Sequence, residues 1–288
     1  MKLTGFIFFR LFSGFIGLLP FPVLYFFSGF LSFLLKRVLK YRKRIILQNL
    51  TGCFPGMDER SLTETMGRFY QNLTDVMLEG LKAFTMSSRQ VLARYRIRNA
   101  EVIEPFIDAG RSVICVTGHY GNWEWGALSP PLQTRFRFIA FYKPLKYKRF
   151  DLYARNNRSR FGTLLAPIRE TTKTFEENRG NPAVYLMAAD QNPSNREMAY
   201  WVDFLNRETP FLHGPEKHAR INNYPVVFAA IRRTARGYYE LELSVLAEDP
   251  SVLPEGEITA RYAASMEKLI REDPANWLWS HNRWKYSR

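Results

Sequence analysis

The 288-residue chain is 46% hydrophobic and carries a net charge of +14, from 41 basic and 27 acidic residues. That composition excludes a disordered chain, two cysteines exclude a disulfide scaffold, and four histidines without zinc-ligand spacing offer no metal site. The length suits one sizeable α/β domain with an appendage, and the charge implies an acidic partner: nucleic acid, anionic lipid or an acidic carrier protein.

Leu11 to Leu35 is a run of 25 residues without Asp, Glu, Lys or Arg. As a straight helix it spans roughly 38 Å, against about 30 Å of bilayer hydrocarbon, so its length suits a membrane anchor. Pro20 and Pro22 sit within the run and predict a kink, or a helix that enters and stays in one leaflet. A cleaved signal peptide fits less well: Arg10 interrupts the start, and a basic block follows instead of a small-residue cleavage site. That block, Lys36 to Arg44, holds six basic residues in nine. Beside an apolar anchor it predicts the cytoplasmic side and attraction to anionic headgroups, at about 1 kcal/mol per residue near the surface. Nucleic acid is the rival partner for such a block, and its adjacency to the apolar run favours lipid.

Residues 59–95 have helical periodicity. Leu62, Met66, Phe69, Leu73, Val76, Met77 and Leu81 recur mostly at three- and four-residue steps, with Gly80 marking a kink or an end. Tyr95 to Asn99 alternates, and Ala100 to Ala109 reads as a helix feeding the next strand.

Residues 112–126 carry the clearest chemistry. Val113 to Val116 is short, apolar and β-branched, so it reads as a buried strand in which Cys115 is a small hydrophobe. A polar turn follows, with His119 and, five positions on, Glu124. Asn122 can cap a helix that has Glu124 in its first turn. Open α/β sheets place their chemistry at such turns, beyond the carboxyl ends of strands. Five positions along a regular helix is a rotation of roughly 140°, so the pair needs the bend that Gly118, Gly121 and Asn122 supply. With the bend, Glu124 accepts a hydrogen bond from one imidazole nitrogen and leaves the other as a base. No G-x-S-x-G elbow occurs here, so the simplest mechanism has His119 activate a hydroxyl of the substrate.

Phe136 to Tyr142 is a second strand, ended by Lys143 and Pro144. From Lys143 to Arg160, seven basic residues accompany one acid, Asp151, for a local charge of +6. Ala183 to Ala189 is another apolar run, delivering Asp190, Gln191 and Asn192 to a polar turn at a strand's carboxyl end. Pro225 to Arg232 and Tyr238 to Val245, with Gly237 between them, predict a strand pair. Ile258 to Ile270 is a helix. In the tail, Trp277, Trp279 and Trp284 suit packing over the sheet or a membrane interface, with His281 as a structural residue.

The stretch His119-Tyr120-Gly121-Asn122-Trp123-Glu124 resembles the H-x4-E/D motif of glycerolipid-type acyltransferases. Its Gly-Asn-Trp-Glu form is similar to that of the late acyltransferases of lipid A biosynthesis, the lauroyl/myristoyl transferase family. Further stretches resemble that family in the same order. They are Arg44 to Leu50 with Phe54-Pro55, Arg158-Ser159-Arg160-Phe161-Gly162, Asp190-Gln191, Trp201 to Leu205 with Thr209 to Lys217, and Pro274 to Trp284. The resemblance covers nearly the whole chain. It implies an α/β fold with a central mixed β-sheet flanked by helices and an N-terminal hydrophobic membrane-anchor helix.

The resemblance also implies a reaction. His119 is the general base, oriented by Glu124, and removes the proton from the 3-hydroxyl of an acyl chain on a lipid A precursor. The alkoxide then attacks the thioester of an acyl carrier protein. Arg158 or Arg160 contacts substrate, with Asp190, Gln191 and Asn122 as further substrate-binding residues; no cofactor and no metal are implied. Backbone N–H groups near Gly121, or a guanidinium of Arg158 or Arg160, are the candidates for stabilising the oxyanion. In the Thr209 to Lys217 block, Glu216 places an acid where a helix N-terminus would otherwise suit an anion.

On this reading residues 1–45 are a membrane anchor with a basic juxtamembrane segment, and residues 46–288 are the acyltransferase domain. The expected location is the inner membrane, with the domain on the cytoplasmic side. The expected partners are acyl carrier protein, a lipid A precursor or related glycolipid, and an anionic membrane surface, but not nucleic acid. A lysophospholipid or another glycolipid is the alternative acceptor. A membrane-tethered nucleic-acid-binding protein is the alternative of another class, and it leaves the His119 turn without work.

Overall fold

A computed structural model describes residues 3–193 and 197–285 of the protein. The N-terminal apolar run forms two helices, α1 (Leu3–Leu18) and α2 (Phe21–Phe33), separated at Leu19 and Pro20. Pro20 is the N-cap of α2 and Pro22 lies in its first turn, where the missing N–H has no partner to lose and the fixed φ suits a helix. The kink expected from the prolines is therefore a full break. A π-helical turn extends α2, and the resulting span Phe21–Val38 is, among the described residues, long and apolar enough to cross a membrane.

α3 (Lys43–Cys53) leads to the long α4 (Glu59–Lys82), against which both α1 and α2 pack. The carbonyls freed at the end of α1 are answered from the end of α4. Lys82 Nζ donates to Gly17 O and Leu19 O, and Thr85 Oγ1 donates to Gly17 O. The other faces of the two apolar helices are uncovered: Phe8, Leu11, Leu18, Phe26 and Phe30 are each more than 60% exposed. So large an exposed apolar surface marks an interaction face.

α5 (Ser88–Arg94) starts with a Ser87–Gln90 capping box. It is followed by β1 (Tyr95–Ile97), α6 (Glu104–Asp108), β2 (Val113–Thr117), α7 (Trp123–Leu128), α8 (Pro130–Gln133), β3 (Phe138–Tyr142) and α9 (Lys148–Ser159). Then come β4 (Leu164–Pro167), α10 (Thr171–Glu177), β5 (Val184–Ala188) and a separate antiparallel hairpin of β6 (Tyr200–Phe204) and β7 (Arg207–Phe211). α11 (Gly214–Asn222), β8 (Val226–Ala235), β9 (Tyr238–Ala247) and α12 (Glu257–Glu272) complete the order.

Among the described residues seven strands form one sheet, ordered β1-β9-β8-β2-β5-β3-β4. β8, β2, β5, β3 and β4 are mutually parallel; β9 returns antiparallel to β8, and β1 runs parallel to β9. The sheet is thus mixed and flanked by helices, as expected. The strand pair predicted around Gly237 is present, with Gly237 at a φ of 77° that favours glycine. Within the basic stretch, Lys148 to Ser159 is a helix, α9. Ala100 to Ala109 is not one helix: a 3₁₀ turn at Ala100–Val102 precedes α6.

β2 lies inside the parallel part and is buried on both faces, which explains its unbroken apolar run. Ile114 and Val116 pack with Tyr262 and Met266 of α12. Val113 and Cys115 pack with Trp125 and Leu128 of α7. Helices on both faces thus hold the end of β2 in place.

Candidate active site

β2 pairs with β5 in parallel register, Thr117 opposite Ala188. The turns that follow the two strands therefore emerge side by side, one bearing His119 and the other Asp190. Gly118 permits the close approach: a Cβ there would lie 2.6 Å from Met266 Cε and 3.2 Å from Asp190 Cγ. His119 donates its backbone N–H to Asp190 Oδ2 at 2.8 Å, and its Nδ1 lies 2.7 Å from Asp190 Oδ1. Trp277 Nε1 donates to Asp190 Oδ2 at 2.9 Å.

Asp190 is 2% exposed. Burial pushes its pKa up, but the charge and hydrogen bonds of His119 outweigh burial and hold it at about 2. Burial pushes the His119 pKa down, and Asp190 outweighs this too, raising it above its ordinary value. The pair is thus an ionised carboxylate on Nδ1 of an imidazole whose protonated form it stabilises. The edge of Trp123 packs on the His119 ring at 5.2 Å between centroids.

Glu124 does not meet His119. It accepts both nitrogens of a guanidinium fork: Arg158 Nε donates to Oε2 at 3.0 Å and Arg158 Nη2 to Oε1 at 2.7 Å. The bend at Gly121, whose φ is 60°, does not undo the rotation between the two positions. Glu124 faces α9, and the planar fork of Arg158 matches the carboxylate better than one imidazole nitrogen would. Both side chains of this pair are 29% exposed.

The other expected site residues separate. Asn122 caps α7, accepting from Trp125 N at 2.8 Å, and its Nδ2 donates to Glu79 Oε2 at 2.7 Å. It is fully buried. Gln191 follows Asp190, half-buried. Arg160 lies at the end of α9, with Nη1 3.4 Å from Phe84 O and its guanidinium over the Phe161 ring. Of the two arginines, Arg158 is the one beside the acid. Gly121 N donates to Asn276 O, so that N–H is engaged. Glu216 is buried rather than set against an anion site, and accepts from Gly256 N, Thr259 N and Thr259 Oγ1 at the start of α12.

The tail closes one side of the turn. Leu278 N donates to His119 O at 3.2 Å, and Tyr120 bridges to Trp277. Trp277 and Trp279 are buried, so they pack within the fold. Burial pushes His281 down to about 4, keeping it neutral. Glu79 is a site-building residue the sequence did not single out, and Trp277, expected to pack over the sheet or at a membrane interface, also bonds Asp190. Glu79 carried a signal: it is an acid amid the apolar positions Val76, Met77 and Leu81 of α4.

Beyond Trp123 a groove of about 300 Å³ opens between α4, α7 and α9. Leu73, Val76, Met77, Leu81 and Phe84 line its α4 side, and Glu124 and Arg158 its polar side. An apolar wall facing a charged rim suits an amphiphile with a chain and a polar head.

The model of the bacterial lipid A biosynthesis acyltransferase family matches residues 4–286. The lipid A biosynthesis lauroyltransferase of Escherichia coli (strain K12) is 23% identical over 270 residues, covering 93% of this chain and 87% of that protein. The match runs from α1 through the His119 turn to the tryptophan tail, and the chain belongs to the bacterial lipid A biosynthesis acyltransferase family.

Proposed function

We propose that the protein transfers a fatty acyl group from an acyl carrier protein thioester to a hydroxyl of a lipid A precursor, with His119 as the general base. The observation that carries this reading is the 2.7 Å contact between His119 Nδ1 and Asp190 Oδ1 at the ends of two adjacent parallel strands. Asp190 takes the orienting role that the motif alone assigns to Glu124. Donation from Nδ1 leaves Nε2 to accept the hydroxyl proton.

The resulting alkoxide attacks the thioester carbonyl. The tetrahedral intermediate collapses, the carbon–sulfur bond breaks, and the imidazolium returns its proton to the thiolate. Asp190 stays ionised throughout and stabilises the imidazolium. Arg158, held by Glu124, supplies positive charge for the oxyanion. Glu124 thus acts through Arg158. The groove along α4 takes an acyl chain, each buried methylene contributing about 0.8 kcal/mol.

Residues 1–45 attach the protein to the inner membrane from the cytoplasmic side. The exposed phenylalanines and leucines of α1 and α2 enter lipid, and Lys36 to Arg44 meet anionic headgroups. Residues 46–288 carry the chemistry.

A panel of acyl carrier protein thioesters with a lipid A precursor, read by mass spectrometry, tests the reading. The precursor gains the mass of one acyl group. Products formed only with a lysophospholipid would reassign the acceptor, and no transfer to any acceptor would overturn the proposal.

A further inference from the structure

Glu79 of α4 is fully buried and joins three separate parts of the fold. Tyr25 of α2 donates its hydroxyl to Oε1 at 2.8 Å. Tyr239 of β9 and Asn122 of the His119 turn donate to Oε2, at 2.8 and 2.7 Å. The Glu79 backbone carbonyl also receives the Trp125 indole N–H at 3.0 Å. Burial pushes the carboxyl above its ordinary pKa, and hydrogen bonds from Tyr239 and Tyr25 pull the other way.

A buried carboxyl is costly compared with a leucine of similar volume, and it persists only where its oxygens are satisfied. Here those oxygens hold Asn122, which caps α7 and stands three residues from His119 and two from Glu124. The far end of the connection is an apolar helix with an uncovered face. Tyr25 is itself fixed: Arg236 Nη2 donates to its backbone carbonyl at 2.9 Å, and the Arg236 guanidinium lies over its ring. Gly237 completes the seat, because a Cβ there would overlap the Tyr25 hydroxyl. The Arg236–Gly237 turn and α4 thus converge on α2 to place one phenol on one carboxylate oxygen.

We propose that Tyr25 and Glu79 are positioning residues for the turn carrying His119 and Glu124, so that α2 is a working part of the active site as well as its attachment to lipid. The proposal rests on the reading of His119 as the base. Without the Tyr25 hydroxyl, Oε1 loses its donor, the carboxylate is held through Oε2 alone, and the Asn122 cap loosens.

The test compares full-length wild type, Tyr25→Phe, Glu79→Gln and Ser28→Ala. Ser28 is the control. It lies on the same helix and is buried, and it bonds Asp75 and Thr74 of α4 without touching Glu79. Turnover, KM for both substrates, thermal unfolding and binding to phosphatidylglycerol-containing vesicles are measured for each. Tyr25→Phe lowers kcat about tenfold, the equivalent of one hydrogen bond of about 1.4 kcal/mol, with KM and vesicle binding unchanged. Glu79→Gln lowers kcat at least as far. Ser28→Ala lowers the unfolding temperature and leaves kcat unchanged. Wild-type kcat in Tyr25→Phe, or kcat losses in Tyr25→Phe and Ser28→Ala that merely track their losses of stability, would overturn the proposal. A wild type that transfers no acyl group would instead overturn the assigned reaction, and this inference with it.

Discussion

Asp190 Oδ1 lies 2.7 Å from His119 Nδ1, although 71 residues separate the two in sequence. The contact follows from strand order: β5 pairs directly with β2, so the turns that leave their carboxyl ends meet. Trp277, from the tail, adds a second donor to the carboxylate and holds its plane.

If Asp190 orients the base, Asp190→Asn keeps the shape and removes the charge. Turnover is expected to fall about 10²- to 10⁴-fold, the scale seen when a base loses its tautomer or its proton acceptor. Because Asp190 raises the His119 pKa, the acid limb of the pH–rate profile moves to lower pH in the variant. A profile of kcat/KM against pH checks both effects.

The same pair gives stability a defined pH window. Asp190 is held at about 2, against an ordinary 3.8, so its contribution is present above the ordinary value and is lost as pH falls toward 2. His119 is shifted upward, so its contribution is present below 6.5 and is lost as pH rises through the folded value. Unfolding temperatures measured across pH are expected to fall on both sides. Asp190→Asn flattens both limbs.

Glu124 and Arg158 form one unit, so their losses are not additive. Glu124→Ala and Arg158→Ala each lower turnover, and the double variant is no worse than the poorer single one. A double-mutant cycle on stability returns a coupling of about 1 kcal/mol, as fits a partly exposed ion pair. Arg158→Lys does not restore activity, because an ammonium cannot reproduce the two-nitrogen fork.

Replacing Phe8, Leu11 and Phe26 with serine weakens binding to anionic vesicles while leaving the fold intact, since all three side chains are exposed. Neutralising Lys36, Arg37 and Lys40 weakens binding further, by about 1 kcal/mol each, and reduces its dependence on salt. Sedimentation with vesicles at two ionic strengths measures both effects.

Local features were legible in the sequence. The apolar run Val113 to Val116 marks β2, alternation around Gly237 marks β8 and β9, and Asn122 marks the cap of α7. The prolines announce the break between α1 and α2. What the sequence withheld was chiefly long-range. Nothing in chain order says that β5 sits beside β2, so the motif's own acid, Glu124, looks like the partner of His119 when Asp190 is. Glu216 likewise looks like an acid set against an anion site, until α12, some 40 residues later, folds onto it. The four-residue strand Leu164–Pro167 is too short for a period to show, and the hairpin strand Arg207–Phe211 opens on two charges and contains a proline instead of an apolar run.

The measurement that bears most directly on the account is acyl transfer from a carrier-protein thioester to a lipid A precursor by wild type and His119→Ala, with both proteins shown to be folded. The account predicts an acylated product with wild type and at least about a 10²-fold loss with His119→Ala, the contribution expected of a positioned general base. A His119→Ala protein that keeps most of its turnover would contradict it.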